Sequence, residues 1–255
     1  MAVITIDFKS QVLNKNTHLN IILPELANNF TDKPQDYACL YLLHGLTDDE
    51  SAWLRYTTLE SYLAKTNLCV VMPEVDHSFY TNMAHGGHKY FDYITRELPL
   101  YIESILPIVK DRHARFIAGA SMGGYGAMKA ALTYPEKYGK VAVFSGALDI
   151  DRFVHEYTEE PWCASWVFGD VDGLAGTDND VLYLLEKDVA ANKNLPEIWT
   201  FCGDDDFLLQ DTCKFEDLAD SLGIKVDGHR SAGGHIWQVW QNQLEDCLGW
   251  ILQAE

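Results

Sequence analysis

The chain has 255 residues, 47% of them hydrophobic, which suits one large domain (1–255) with a substantial core better than two small ones. Its formal net charge of −19 repels nucleic acid and anionic membranes, so neither is an expected partner, and a neutral or cationic small molecule fits better. No run approaches the roughly 18 apolar residues of a membrane helix. The opening M-A-V-I-T-I-D-F-K has no leader pattern and the six cysteines form no C-x-x-C pair, so the expectation is a cytoplasmic protein with reduced thiols.

In chain order, the apolar runs at residues 3–8 and 18–23 lie too close for an intervening helix and read as an antiparallel pair. Short apolar blocks follow at 39–43, 68–72, 115–118, 140–144 and 198–201, with a weaker one at 225–230. Blocks of this kind suit strands buried on both faces of a parallel sheet. Between them Leu98, Ile102, Ile105 and Val109 keep a helical period, as do Ile236, Trp240, Leu244, Cys247, Leu248 and Ile251 near the end. The alternation predicts an α/β fold, a mostly parallel central sheet with helices on both faces. Residues 147–196 break the rhythm. They are acidic and rich in aromatics (Tyr157, Trp162, Trp166, Phe168, Tyr183), and too long for a plain loop. They read as a small cap-like insertion over the carboxyl edge of the sheet.

Chemistry concentrates after four of the predicted strands. Gly119-Ala120-Ser121-Met122-Gly123-Gly124 follows the run R-F-I-A and precedes a helix-like segment, the strand–turn–helix context that a nucleophile elbow requires. A glycine-rich turn with an incidental serine is the plain alternative, and the other segments weigh against it. Leu42-Leu43-His44-Gly45-Leu46 ends the third strand-like run, where such folds supply one oxyanion N–H; the residue after the nucleophile, Met122, supplies the second. Cys202-Gly203-Asp204-Asp205-Asp206 places three candidate acids after the 198–201 strand, and the residues alone do not choose among them. Ser231-Ala232-Gly233-Gly234-His235 puts a histidine in a glycine turn able to reach the serine. The order Ser, Asp, His is that of α/β-hydrolases and differs from chymotrypsin-like and subtilisin-like proteases. His77, His85 and His88 share one loop without supporting metal-ligand spacing, so no metal is expected. A hydrolase fold serving only as a binding module is a remote alternative.

On these motifs, together with V-V-M-P, Y-T-N, K-Y-F-D-Y, E-L-P, F-S-G-A-L, the downstream Trp53 and the final G-G-H-I-W, the chain resembles the esterase D-like α/β-hydrolases. Within them it is most similar to the tributyrin esterases of lactic acid bacteria and streptococci. The resemblance implies a carboxylesterase for short acyl esters, without cofactor, acting through Ser121, Asp206 and His235, with Leu46 and Met122 as oxyanion donors. It selects Asp206 by its spacing from Gly203, with Asp205 as the neighbouring alternative. It equally covers S-formylglutathione hydrolases and feruloyl or acetyl-sugar esterases. The expected partner is a small-molecule ester; a homo-oligomer is left open, because aromatics in the insertion serve a subunit contact as readily as a pocket.

Overall fold

The structure, a computed structural model, describes residues 1–25, 36–157 and 163–253. Eight strands form one sheet: β1 (Ala2–Ser10), β2 (Lys15–Leu23), β3 (Ala38–Leu43), β4 (Leu68–Pro73), β5 (Arg115–Ala120), β6 (Lys140–Phe144), β7 (Glu197–Gly203) and β8 (Val226–Ser231). Their spatial order is β1-β2-β4-β3-β5-β6-β7-β8. The first two pair antiparallel as a hairpin, and β2 also runs antiparallel to β4. From β4 to β8 all pairing is parallel. The central strands are buried along nearly their whole length, which is why they read as unbroken apolar runs rather than alternating ones. β1 alternates exposed and half-buried residues, as an edge strand with one wet face does.

Alternate residues of each central strand feed two cores. Tyr41, Leu43, Val71, Ile117, Val141 and Val143 face one layer with helix Met122–Thr133. Leu40, Leu42, Val70, Ala118, Phe144 and Trp199 face the other, under the C-terminal helix Trp237–Leu252. The α/β-hydrolase architecture expected from the sequence is therefore present, with helices on both faces.

Two helical boundaries differ from the sequence pattern. The helix expected to run through Val109 is Leu98–Ile105. Leu106 is extended because it precedes Pro107, and a residue before proline is pushed out of the helical region. Ile236 caps the C-terminal helix in extended conformation and is 55% exposed, so it does not belong to the buried stripe. Residues 147–196, within the β6–β7 connection, carry helices Ile150–Glu156, Ala164–Phe168 and Val181–Ala190. Their aromatics scatter. Phe168 is buried, with its ring 5.7 Å from Phe79. Trp166 is largely exposed, and Trp162 lies outside the described residues. Among the described residues no helix is long and apolar enough to cross a membrane.

Candidate active site

The site lies at the carboxyl ends of β3, β5, β7 and β8. Ser121 sits between β5 and helix Met122–Thr133 with φ 56° and ψ −118°, a strained conformation for a non-glycine residue. Its amide donates to the Phe144 carbonyl (2.9 Å), while its own carbonyl accepts from Tyr125 (3.1 Å). The turn is sterically closed. A Cβ at Gly119 would lie 2.4 Å from the Gly123 carbonyl, and one at Gly123 would lie 2.4 Å from the Leu43 carbonyl oxygen. Both glycines are thus required for the elbow to press against the end of β3.

Asp206 and His235 arrive on two loops joined by backbone hydrogen bonds. The amides of Asp204 and Asp205 donate to the carbonyls of Ser231 (2.8 Å) and Gly233 (3.0 Å). Gly203 allows this approach, since a Cβ there would stand 2.2 Å from the Gly233 oxygen. Those two bonds leave the side chains of Asp204 and Asp205 exposed and turn Asp206 inward, 6% exposed. The Nδ1–H of His235 donates to both Asp206 carboxylate oxygens at 3.0 Å. The Oγ–H of Ser121 lies 2.9 Å from Nε2 of the same ring and donates to it. Of the three adjacent aspartates, the structure brings Asp206 to the histidine.

Burial alone would raise the pKa of Asp206, but the His235 hydrogen bond and charge, the Leu208 amide (2.9 Å) and the Ser145 hydroxyl together hold it below the ordinary carboxylate value. The carboxylate therefore stays anionic at neutral pH and can stabilise a protonated imidazole. The His235 ring is packed by Phe207 (4.5 Å) and, edge-on, by Trp240 (4.9 Å). Phe207 is held in turn by Tyr157 (4.9 Å) and by Arg152, whose guanidinium donates to the Phe207 carbonyl (3.4 Å) and to Asp211 (2.7 Å).

Met122 is the first residue of its helix, and N–H groups in a first helical turn have no partner within the helix. Leu46 follows Gly45, where a Cβ would lie 3.6 Å from the Ser121 Cβ; the loop carrying Leu46 thus borders the nucleophile. That loop is fixed from beneath. The Trp53 indole donates to the Leu43 carbonyl (3.0 Å) and the Tyr80 hydroxyl to the His44 carbonyl (2.9 Å). His44 itself is 1% exposed, and burial lowers its pKa. In its neutral form Nδ1–H donates to the Gly45 carbonyl (2.8 Å) and Nε2 accepts the Val75 amide (3.3 Å). It shapes the loop and does not touch the serine hydroxyl.

A pocket of about 290 Å³ opens beside Ser121 and His235, lined by Leu46, Thr47, Asp48, Tyr56, Trp237 and Trp240. Among the described residues its walls come from the β3 loop, a short helix Ala52–Tyr56 and the C-terminal helix, and neither Trp166 nor Phe168 lines it. Asp48 and Tyr56 carry no motif in the sequence, and Trp237 closes the G-G-H-I-W motif without a role read from it; their meeting in three dimensions reveals them. Among the described residues, no three His, Cys, Asp or Glu side chains are gathered as for a metal ion.

The sequence profile of the Esterase family matches residues 10–251. This chain belongs to that esterase family. An acetyl esterase of Caldicellulosiruptor saccharolyticus is 30% identical, covering 98% of both chains. Among solved structures, the fluorophosphonate-binding serine hydrolase FphF of Staphylococcus aureus is similar over 99% of each chain, with 34% identity and a TM-score of 0.94. The S-formylglutathione hydrolase FrmB of the same organism has 35% identity, 99% coverage of each chain and a TM-score of 0.90. The esterase is thus a serine ester hydrolase of the α/β-hydrolase fold.

Proposed function

We propose that this esterase hydrolyses short-chain acyl esters, of the acetyl to tributyrin type, through Ser121, His235 and Asp206. The observation that carries the reading is the continuous hydrogen-bonded line from Ser121 Oγ through the imidazole to Asp206. Ser121 attacks the ester carbonyl while His235 Nε2 takes its proton, and the Asp206 carboxylate holds the ring and stabilises the imidazolium. The N–H groups of Leu46 and Met122 receive the oxyanion. His235 then returns the proton to the leaving alcohol, giving an acyl-serine. A water deprotonated by the same histidine attacks the acyl carbonyl, and Ser121 leaves with its proton restored. The residues invoked are side chains and amides of the chain itself, and no cofactor enters the scheme.

The helices of the 147–196 stretch act in this reading as a partial cap. Support comes from Tyr157, which packs on Phe207 and through it on His235. A cytoplasmic location is supported by Cys39, Cys69, Cys202 and Cys247, four buried thiols that form no disulfide. The likeness to FrmB keeps S-formylglutathione as a second substrate reading. The test is Ser121→Ala. Hydrolysis of p-nitrophenyl butyrate should fall by roughly three to six orders of magnitude, and labelling by a fluorophosphonate probe should vanish, with the circular dichroism spectrum unchanged. A variant that retains wild-type turnover would show that the nucleophile is elsewhere.

A further inference from the structure

The pocket beside Ser121 carries one fixed charge that the reaction itself does not use. Asp48 lies in its wall, half-buried, and its Oδ2 is 3.3 Å from where a Cβ on Gly45 would stand, so the carboxylate borders the loop that touches Ser121. Beside it stand the rings of Tyr56 and Trp237, stacked at 5.2 Å, and the Trp237 side chain donates a hydrogen bond to the Asp48 carboxylate; Thr47 belongs to the same lining. Among the described residues, the other ionisable groups of the lining are His235 and the Tyr56 phenol, with no lysine or arginine. Around Asp48, Asp49 and Glu50 add negative charge, and His44 is kept neutral by burial. The nearby cation is Arg55, whose guanidinium sits 5.7 Å from the Tyr56 ring. The whole chain, at −19, adds a field of the same sign as Asp48.

We propose that Asp48 is a specificity-determining residue that selects esters by charge, admitting neutral or cationic groups beside Ser121 and rejecting carboxylate-bearing ones. The inference rests on the esterase reading above and deepens it. A carboxylate in a confined, partly desolvated pocket repels an anion far more than it would in open water. Recognition of a glutathione thioester, which carries two carboxylates, calls for cationic donors, and the lining offers an anion instead. An uncharged alcohol or acyl group meets no such penalty and gains an aromatic wall with a hydrogen-bond acceptor at its edge.

The test compares kcat/KM within two substrate pairs, so that intrinsic reactivity cancels between enzyme variants. One pair is p-nitrophenyl butyrate and p-nitrophenyl hemisuccinate, with the anion on the acyl part. The other is phenyl acetate and 4-acetoxybenzoate, with the anion on the leaving group. For Asp48→Asn the anionic-to-neutral ratio should rise about tenfold in at least one pair, while Asp48→Glu should keep it within about twofold of wild type because the charge is retained. Raising NaCl from about 0.05 M to about 0.5 M should narrow the gap between wild type and Asp48→Asn. If Asp48→Asn leaves both ratios within about twofold of wild type, whatever it does to absolute rates, Asp48 only shapes its loop and the proposal is overturned. Failure of the underlying reading has a different signature: hydrolysis of the neutral esters that survives Ser121→Ala.

Discussion

Changing Asp206 to Asn keeps the size of the side chain and removes the charge that stabilises a protonated His235. It also presents an amide to Nδ1, which favours the wrong tautomer for a base at Nε2. We expect Asp206→Asn to lower kcat by roughly three to four orders of magnitude. Asp205→Asn should stay within about threefold of wild type, since Asp205 contributes its amide to Gly233 and leaves its carboxylate exposed. Steady-state kinetics on one ester decide it; a larger loss in Asp205→Asn would move the acid one residue. The ambiguity among three aspartates in the sequence has a physical source. Composition and spacing show that an acid follows β7, but which one turns inward depends on the bonds of residues 204 and 205 to the neighbouring loop, and those partners lie 27 and 28 residues away in sequence. Ser121 and His235 were easier to read because glycines flank each of them, and the flanking pattern records the tight turn.

Helix Met122–Thr133 carries the nucleophile at its start and an unusual lysine within it. Lys129 is 4% exposed; its Nζ donates to Asn179 Oδ1 (2.6 Å) and lies 4.6 Å from the Phe91 ring centre. Burial lowers its pKa from 10.5 to about 7, opposed in part by Asp178. Below about pH 7 the folded and unfolded chains both hold this proton. Between there and the unfolded value the folded chain has released it while the unfolded chain still binds it, so stability rises with pH across that window. The slope from this group is at most about 1.4 kcal/mol per pH unit. Urea melts of wild type and Lys129→Met from about pH 6 to about pH 9 should therefore show the wild type gaining on the variant as pH increases. A difference that stays flat over that range would mean the ammonium is as well solvated as in the unfolded chain. At this scale, elements long enough to repeat a period were legible, and short ones were not. The Ala52–Tyr56 and Leu59–Leu63 helices have five residues each, too few for a helical stripe to stand out. The end of Leu98–Ile105 was signalled by Pro107, a local steric rule that outweighs the apolar spacing through Val109.

At the scale of the whole molecule, the alternation of strands and helices was enough to give a mostly parallel sheet, yet the order β1-β2-β4-β3-β5-β6-β7-β8 depends on crossovers that no local pattern encodes. The same holds for the pocket. Residues 45–48, Tyr56, Trp237 and Trp240 converge on Ser121 from pieces of chain far apart in sequence, whereas Phe168, from the aromatic-rich 147–196 stretch, goes to the core and Trp166 to the surface. The expected preference for short chains therefore rests on these walls. At about 290 Å³ the pocket is at the small end for ligand sites, which typically run from roughly 300 to 1,000 Å³. Thr47 and Asp48 make part of its lining polar, so added methylenes soon meet groups that prefer water. While carbons still fit, each contributes roughly 0.8 kcal/mol of burial; once they protrude into solvent that gain stops, and close contacts with Tyr56 or Trp237 cost energy. A lipase presents a broad apolar surface to an oil phase, and a chain of net charge −19 is poorly suited to that. We expect kcat/KM for p-nitrophenyl esters to be high from about two to four carbons, to level off, and to fall beyond about eight. The measurement is a series from about two to about sixteen carbons, below and above the solubility limit of the longer esters. Efficiency that keeps rising through about twelve carbons, or a jump in rate when the substrate forms droplets, would show an extended apolar channel in place of the small pocket.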